Sequence, residues 1–275
     1  LPGTISGTHF LDLDRDGVRD ENEVGIPNAE ISITPLGFDV TQQVITDSAD
    51  GAQSIFAVDV DGDGDIDVLS ADSDSHEIAW YQNDGNGDFG SQQVITTQAD
   101  NAQSVYATDV DGDGDMDVLS ASSEGDKIAW YQNDGSGKFG SQQVITTQAD
   151  NAQSVYATDI DSDGDMDVLS ASADDDMIAW YQNDGSGNFG DQKVITTEAD
   201  SATSVYAVDV DGDGDMDVLS ASARDDKIAW YQNDGDGNFG PLRVITTNAD
   251  GAYSVYAVDV DGDGDMDVLS ASAND

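Results

Sequence analysis

The chain has no cysteine, two histidines, four prolines, and only 8 lysines and arginines among its 275 residues. Each shortage removes a class of answer. Without cysteine there is no disulfide framework, although that alone does not fix a compartment. With 58 acidic residues against 8 basic ones the formal net charge is −50. A surface that acidic repels nucleic acid and anionic lipid, so neither is expected as a partner. His9 and His76 are the only histidines, and neither belongs to a repeated serine or carboxylate arrangement of the kind a catalytic triad needs. No run of about 18 apolar residues occurs, so no helix is expected to insert in a bilayer. No basic-then-apolar leader opens the chain at Leu1, and Asp275 falls in mid-repeat. The start reads as a processed or excised end, and the mid-repeat stop suggests a fragment of a parent chain with room for further domains.

What the chain has is a nine-residue acidic loop, written five times at a spacing of 50 residues. The first copy is Asp59-Val-Asp-Gly-Asp-Gly-Asp-Ile-Asp67, with carboxylates at Asp59, Asp61, Asp63, Asp65 and Asp67. The others place them at Asp109, Asp111, Asp113, Asp115 and Asp117, at Asp159, Asp161, Asp163, Asp165 and Asp167, at Asp209, Asp211, Asp213, Asp215 and Asp217, and at Asp259, Asp261, Asp263, Asp265 and Asp267. Alternate carboxylates in a tight loop can converge on one centre, and they repel one another unless a cation lies between them. Hard oxygen donors on a flexible loop suit Ca2+ better than Mg2+, which demands a stricter octahedron. The loops hold 25 of the acids, so chelation accounts for much of the charge. Disorder, the other reading of an acidic chain, is opposed by apolar runs at regular spacing between the acids. Paired aspartates can also serve glycoside hydrolysis. Fivefold recurrence in chelating loops marks these as ligands instead, and no enzymatic activity is expected.

The repeat is four strands long. In residues 201–250, Ser204–Asp209 is a β-rich run into the loop and Asp217–Ser222 a run out of it. Lys227–Gln232 follows, then a turn at Asn233–Asn238, then a fourth run from Phe239 to Thr247. No segment shows apolar residues at helical spacing. Four strands per 50 residues match a β-propeller blade, with both faces buried against neighbours. That explains why Ile228, Ala229, Trp230 and Tyr231 run without polar alternation. The class is therefore all-β: a propeller of about five blades, near 50–99, 100–149, 150–199 and 200–249, plus a partial blade made from 250–275 with 39–49. Trp130 and Trp180 are expected as core between blades. Ser162 stands where the other loops have glycine, and it is expected to be tolerated if that position needs no positive φ.

Residues 1–38 break the period. Asp12–Glu23 fits a twelve-position EF-hand loop with Gly17 sixth. Asp12, Asp14 and Asp16 would offer side-chain oxygens, Val18 its carbonyl, Asp20 a direct or water-mediated contact and Glu23 both carboxylate oxygens. Extended-looking sequence flanks it, so it reads as a strand–loop–strand calcium site, either a cap or a partial domain.

The Asp-x-Asp-x-Asp-Gly-Asp-x-Asp loop, the Val-Leu-Ser-Ala strand after it and the Asn-Asp-Gly-x-Gly-x-Phe-Gly turn resemble the FG-GAP/VCBS repeat. That repeat forms the blades of integrin α-subunit propellers and of many bacterial secreted proteins. The resemblance covers 39–275. It implies calcium held by side chains at the first, third, fifth and ninth loop positions and by the seventh backbone carbonyl, here Asp109, Asp111, Asp113, Asp117 and the carbonyl of Asp115. Ser70, Ser120, Ser170, Ser220 and Ser270 stand where an EF-hand has its final glutamate. Ile5-Ser-Gly-Thr-His-Phe and Gly25-Ile-Pro-Asn-Ala-Glu-Ile resemble the opening of Sdr-type B domains of bacterial surface adhesins. Together these imply a calcium-stabilised propeller, secreted or on the cell surface, that binds a protein or glycan ligand. A lectin-like module appended to a secreted enzyme is the alternative. About six ions are expected, one per blade loop and one at Asp12–Glu23.

Overall fold

A computed structural model describes residues 44–274. The N-terminal loop ligands Asp12, Asp14, Asp16, Val18, Asp20 and Glu23, the B-domain resemblance and residues 39–43 of the partial blade lie outside them. The compact unit spans Val44–Asp275.

Among the described residues there are 18 strands and no helix. The first sheet holds β1 (Ala52–Val58), β2 (Asp67–Asp72), β3 (Glu77–Tyr81) and β4 (Gln93–Thr96) in sequence order, each antiparallel to the next. The second is β5 (Ala102–Thr108), β6 (Asp117–Ser122), β7 (Lys127–Tyr131) and β8 (Gln143–Thr146). The third is β9 (Ala152–Thr158), β10 (Asp167–Ser172), β11 (Met177–Tyr181) and β12 (Lys193–Thr196). The fourth is β13 (Ala202–Val208), β14 (Asp217–Ser222), β15 (Lys227–Tyr231) and β16 (Arg243–Thr246). A two-stranded sheet of β17 (Ala252–Val258) and β18 (Asp267–Ser272) ends the described chain.

The core lies between sheets. Leu69, Ala71, Ile78 and Trp80 on one face of the first sheet meet Val105, Ala107, Val118 and Tyr131 of the second, and the pattern recurs down the chain. The middle strands are therefore buried on both sides and lack polar alternation. Leu69, Leu119, Leu169 and Leu219 are fully buried, whereas Leu269 of the two-stranded sheet is 44% exposed. Trp130 and Trp180 are core as expected, each 2% exposed, and Tyr131 and Tyr181 on the opposite face are equally buried. The first strands add a line of aromatic rings, Phe56, Tyr106, Tyr156, Tyr206 and Tyr256, with successive centroids 4.6–5.0 Å apart.

The fourth strand is shorter than the sequence run indicates. Phe239 bridges back to Asn233, and Gly240 N–H bonds the Gln232 carbonyl, so the backbone there closes the turn. Pairing with β15 begins only at Arg243.

Candidate metal centres

Each acidic loop joins the first strand of a sheet to the second. One oxygen from each of Asp59, Asp61 and Asp67 lies within 4.8 Å of the other two. The same holds for Asp109, Asp111 and Asp117, for Asp159, Asp161 and Asp167, and for Asp209, Asp211 and Asp217. The fifth loop brings Asp259, Asp261 and Asp263 together instead.

Backbone amides hold these carboxylates in place. Asp59 accepts hydrogen bonds from Gly62 N–H at 2.9 Å and Gly64 N–H at 3.0 Å, which curls the loop around it. Asp67 is fully buried and accepts from Val60 N–H at 3.0 Å and Asn83 N–H at 2.8 Å. Asp61 accepts from the Gln82 side-chain amide through one oxygen, while its other oxygen is buried with no partner; Asp161 is left in the same condition.

The fifth and seventh positions behave differently. Asp63 accepts from Asp65 N–H two residues on. Asp65, Asp115, Asp165 and Asp215 lay their carboxylates against Gly85, Gly135, Gly185 and Gly235 of the turn. In the first four loops the first, third and ninth carboxylates come together, the fifth lies beside the third, as the charges of Asp113 on Asp111 and Asp163 on Asp161 show, and the seventh turns to the neighbouring glycine.

The electrostatics follow from crowding. Burial, then the charges of Asp63 and Asp67, holds the Asp61 carboxyl above its usual range. Burial pushes Asp117 and Asp167 up to about 7, against the pull of their two backbone hydrogen bonds. Orphaned buried carboxylate oxygens, like charges within 4.8 Å of one another and an all-oxygen donor set fit a hard divalent cation such as Ca2+.

The condition attached to Ser162, that its position need no positive φ, is not met. The equivalent glycines, Gly62, Gly112, Gly212 and Gly262, have φ of 73°, 75°, 79° and 80°, so the loop needs a left-handed residue there. Ser162 adopts φ of 59° and carries the strain.

Two functional positions escape a reading that looks only for carboxylates. Gln82, Gln132, Gln182 and Gln232 donate to the third loop aspartates Asp61, Asp111, Asp161 and Asp211. Asn83, Asn133, Asn183 and Asn233, read from composition as the start of a turn, donate their backbone N–H to the buried ninth aspartates. The signal was their recurrence every 50 residues beside the loop's partner strand. His76 has a plain structural role: its Nδ1 accepts from Asn101 N–H at 2.7 Å, as Asp126 and Asp176 do from Asn151 and Ser201.

The fold is similar to those of several solved structures. An Agrocybe aegerita lectin that recognises non-reducing terminal N-acetylglucosamine is 20% identical with a TM-score of 0.53, over 79% of this chain and 56% of that one. The exotype rhamnogalacturonan lyase YesX is 14% identical with a TM-score of 0.51, over 81% and 45%. A protein of unknown function from Desulfotomaculum acetoxidans is 12% identical with a TM-score of 0.56, over 82% and 67%. The chain thus spans about half the length of the first two. No functionally curated protein matches it. The FG-GAP-like repeat model matches residues 59–120, 109–170, 159–220 and 217–270, taking in each of the five loops with the strand that follows it. The chain belongs to the FG-GAP-like repeat family.

Proposed function

We propose that this chain is a calcium-stabilised β-propeller scaffold of a secreted or cell-surface protein, which presents its loops to a protein or glycan ligand and has no catalytic role of its own. The observation that carries the reading is the carboxylate cluster repeated at the same corner of every sheet, with one buried oxygen at Asp61 and one at Asp161 that have no internal partner. Three acidic groups drawn that close disfavour the folded chain unless a cation shares them. The first, third and ninth aspartates would hold Ca2+, which supplies the positive charge that the loops lack. Family membership and sheets stacked face to face support a propeller arrangement. A −50 surface supports a partner other than nucleic acid or anionic membrane. No helix among the described residues is long and apolar enough to cross a membrane.

The tryptophans support scaffold over lectin. Trp80, Trp130 and Trp180 are packed between sheets and cannot stack on a sugar. The lectin-like alternative has one feature in its favour, a recurrent groove at the outer strands, lined in one copy by Val194, Thr196, Glu198, Tyr231 and Leu242.

Calorimetric titration with Ca2+, followed by a glycan array probed with and without the ion, tests both parts. Stoichiometric binding near one ion per loop and a calcium-dependent melting midpoint are expected. A chain that folds fully and binds no calcium overturns the reading.

A further inference from the structure

Asn133 occupies an unusual position between two acidic loops. It is 1% exposed, and its backbone N–H and both ends of its side-chain amide are hydrogen-bonded. Its Nδ2 donates to the Val60 carbonyl of the preceding loop at 2.7 Å and to the Met116 carbonyl of its own loop at 3.0 Å. Its backbone N–H donates to Asp117 Oδ1 at 2.8 Å, and its Oδ1 accepts from Gly137 N–H at 3.1 Å. Two carbonyls on one side and an N–H on the other fix the orientation of the amide.

Asn183 repeats this with Val110, Met166, Asp167 and Gly187, and Asn233 with Ile160, Met216 and Asp217. The donors to the ninth carboxylates complete a chain of bonds. Val60 N–H holds Asp67 Oδ2 while the Val60 carbonyl receives Asn133, whose N–H holds Asp117. Val110 N–H holds the other oxygen of Asp117 while its carbonyl receives Asn183, whose N–H holds Asp167. Ile160 N–H holds the other oxygen of Asp167 while its carbonyl receives Asn233, whose N–H holds Asp217. Four candidate sites are thus strung on one buried line of hydrogen bonds. Asn83, at the head of it, donates its Nδ2 to Ile66 alone among the described residues and is only half-buried.

We propose that Asn133, Asn183 and Asn233 are coupling residues that make cation binding at successive loops positively cooperative. The inference rests on the calcium reading of the loops. A cation that fixes Asp117 and the loop peptide at Val110 also fixes the amides at both ends of that loop's link. The neighbouring loop then has less left to order when its own cation arrives. Repeat arrays couple mainly to nearest neighbours, so the effect should pass stepwise along the sheets. Couplings between sites typically change affinity by about 5- to 150-fold; the lower end suits links made of single neutral hydrogen bonds.

The test uses the full chain, with Ca2+ titrated against a competing chromophoric chelator and by calorimetry. The native chain should bind with a Hill coefficient above one. Asp109→Asn, which disables the second loop, should remove one ion and weaken the first and third loops severalfold, with the fifth, which lies off the line, unaffected. In an Asn183→Ala background the same change should leave the third and fourth loops unaffected, a result that a merely structural role for Asn183 would not produce. Should Asn183→Ala fail to fold, the native chain and Asp109→Asn still decide the matter. Independent sites in the native chain, or unchanged affinity at the first and third loops in Asp109→Asn, overturn the coupling and leave the calcium reading standing. Absence of calcium binding overturns both.

Discussion

Raising the pH should destabilise the calcium-depleted chain and stabilise the calcium-loaded one. Asp117 and Asp167 are buried at the ninth loop position and titrate near 7 in the folded chain, against about 4 for a solvated aspartate. Between those values the folded state holds protons that the unfolded state has released. Stability therefore falls as pH rises across that window, and the full penalty applies above it. One pKa unit corresponds to about 1.4 kcal/mol, so each carboxylate accounts for up to roughly 4 kcal/mol, an upper bound for groups in a field this crowded. Asp67 and Asp217 are shifted up as well, by burial first, and add in the same direction. The total rivals the 5–15 kcal/mol that typically holds a domain together. With Ca2+ present the sign reverses, because the cation takes the ionised form and must displace those protons.

Urea melts at pH 5 and pH 8, in calcium-depleted buffer and in millimolar Ca2+, read the effect directly. General relief of the −50 charge also favours low pH. Asp117→Asn separates the two, because it removes one buried titration and barely alters net charge. It should flatten the calcium-depleted profile measurably. A calcium-depleted chain equally stable at both pH values, or an unchanged profile in Asp117→Asn, would refute the reasoning.

Three further changes test single features. Ser162→Gly relieves a non-glycine residue at φ of 59° and should stabilise the chain by about 1 kcal/mol in urea melts; no gain would mean that the third loop is unstrained. Gly187→Ala puts a methyl group on the ring of Trp130 at a left-handed position, and a loss of about 2–4 kcal/mol is expected, against none if the sheets can part there. Lys193 donates to Gln182 Oε1 at 2.9 Å, and Gln182 donates in turn to Asp161. Its charge should oppose a cation there, so Lys193→Gln should tighten calcium at the third loop about two- to threefold at low salt, an effect that high salt should erase.

How much of this was legible in the sequence depends on whether a feature is written within one repeat or between two. Strand order, the acidic loops and the burial of Trp130 and Trp180 follow from a 50-residue period and apolar runs that have no polar alternation. Those are local signals repeated until they cannot be missed. Features made across a sheet boundary leave a weaker trace. Asn133 reads as an ordinary turn residue until the loop ending at Asp67 is laid beside it in space, and its bond to Val60 spans 73 positions in sequence. The backbone at Ser162 stayed open for a different reason. A glycine in a run of aspartates can serve close packing or positive φ, and composition does not separate the two. A Cβ on Gly112 would stand 3.3 Å from the Gly185 carbonyl of the next turn and one on Gly62 3.5 Å from that of Gly135, whereas Gly212 and Gly262 meet nothing within 4 Å; the left-handed backbone is what all four share. The fourth strand was overestimated because Phe239, an apolar residue in strand-like sequence, packs against the neighbouring core from inside the turn. In a stacked repeat, apolar character marks burial between sheets and says little about hydrogen bonding within one. The polar residues that recur in register carry the information about how one sheet is fastened to the next, and Asn133, Asn183 and Asn233 are the clearest of them.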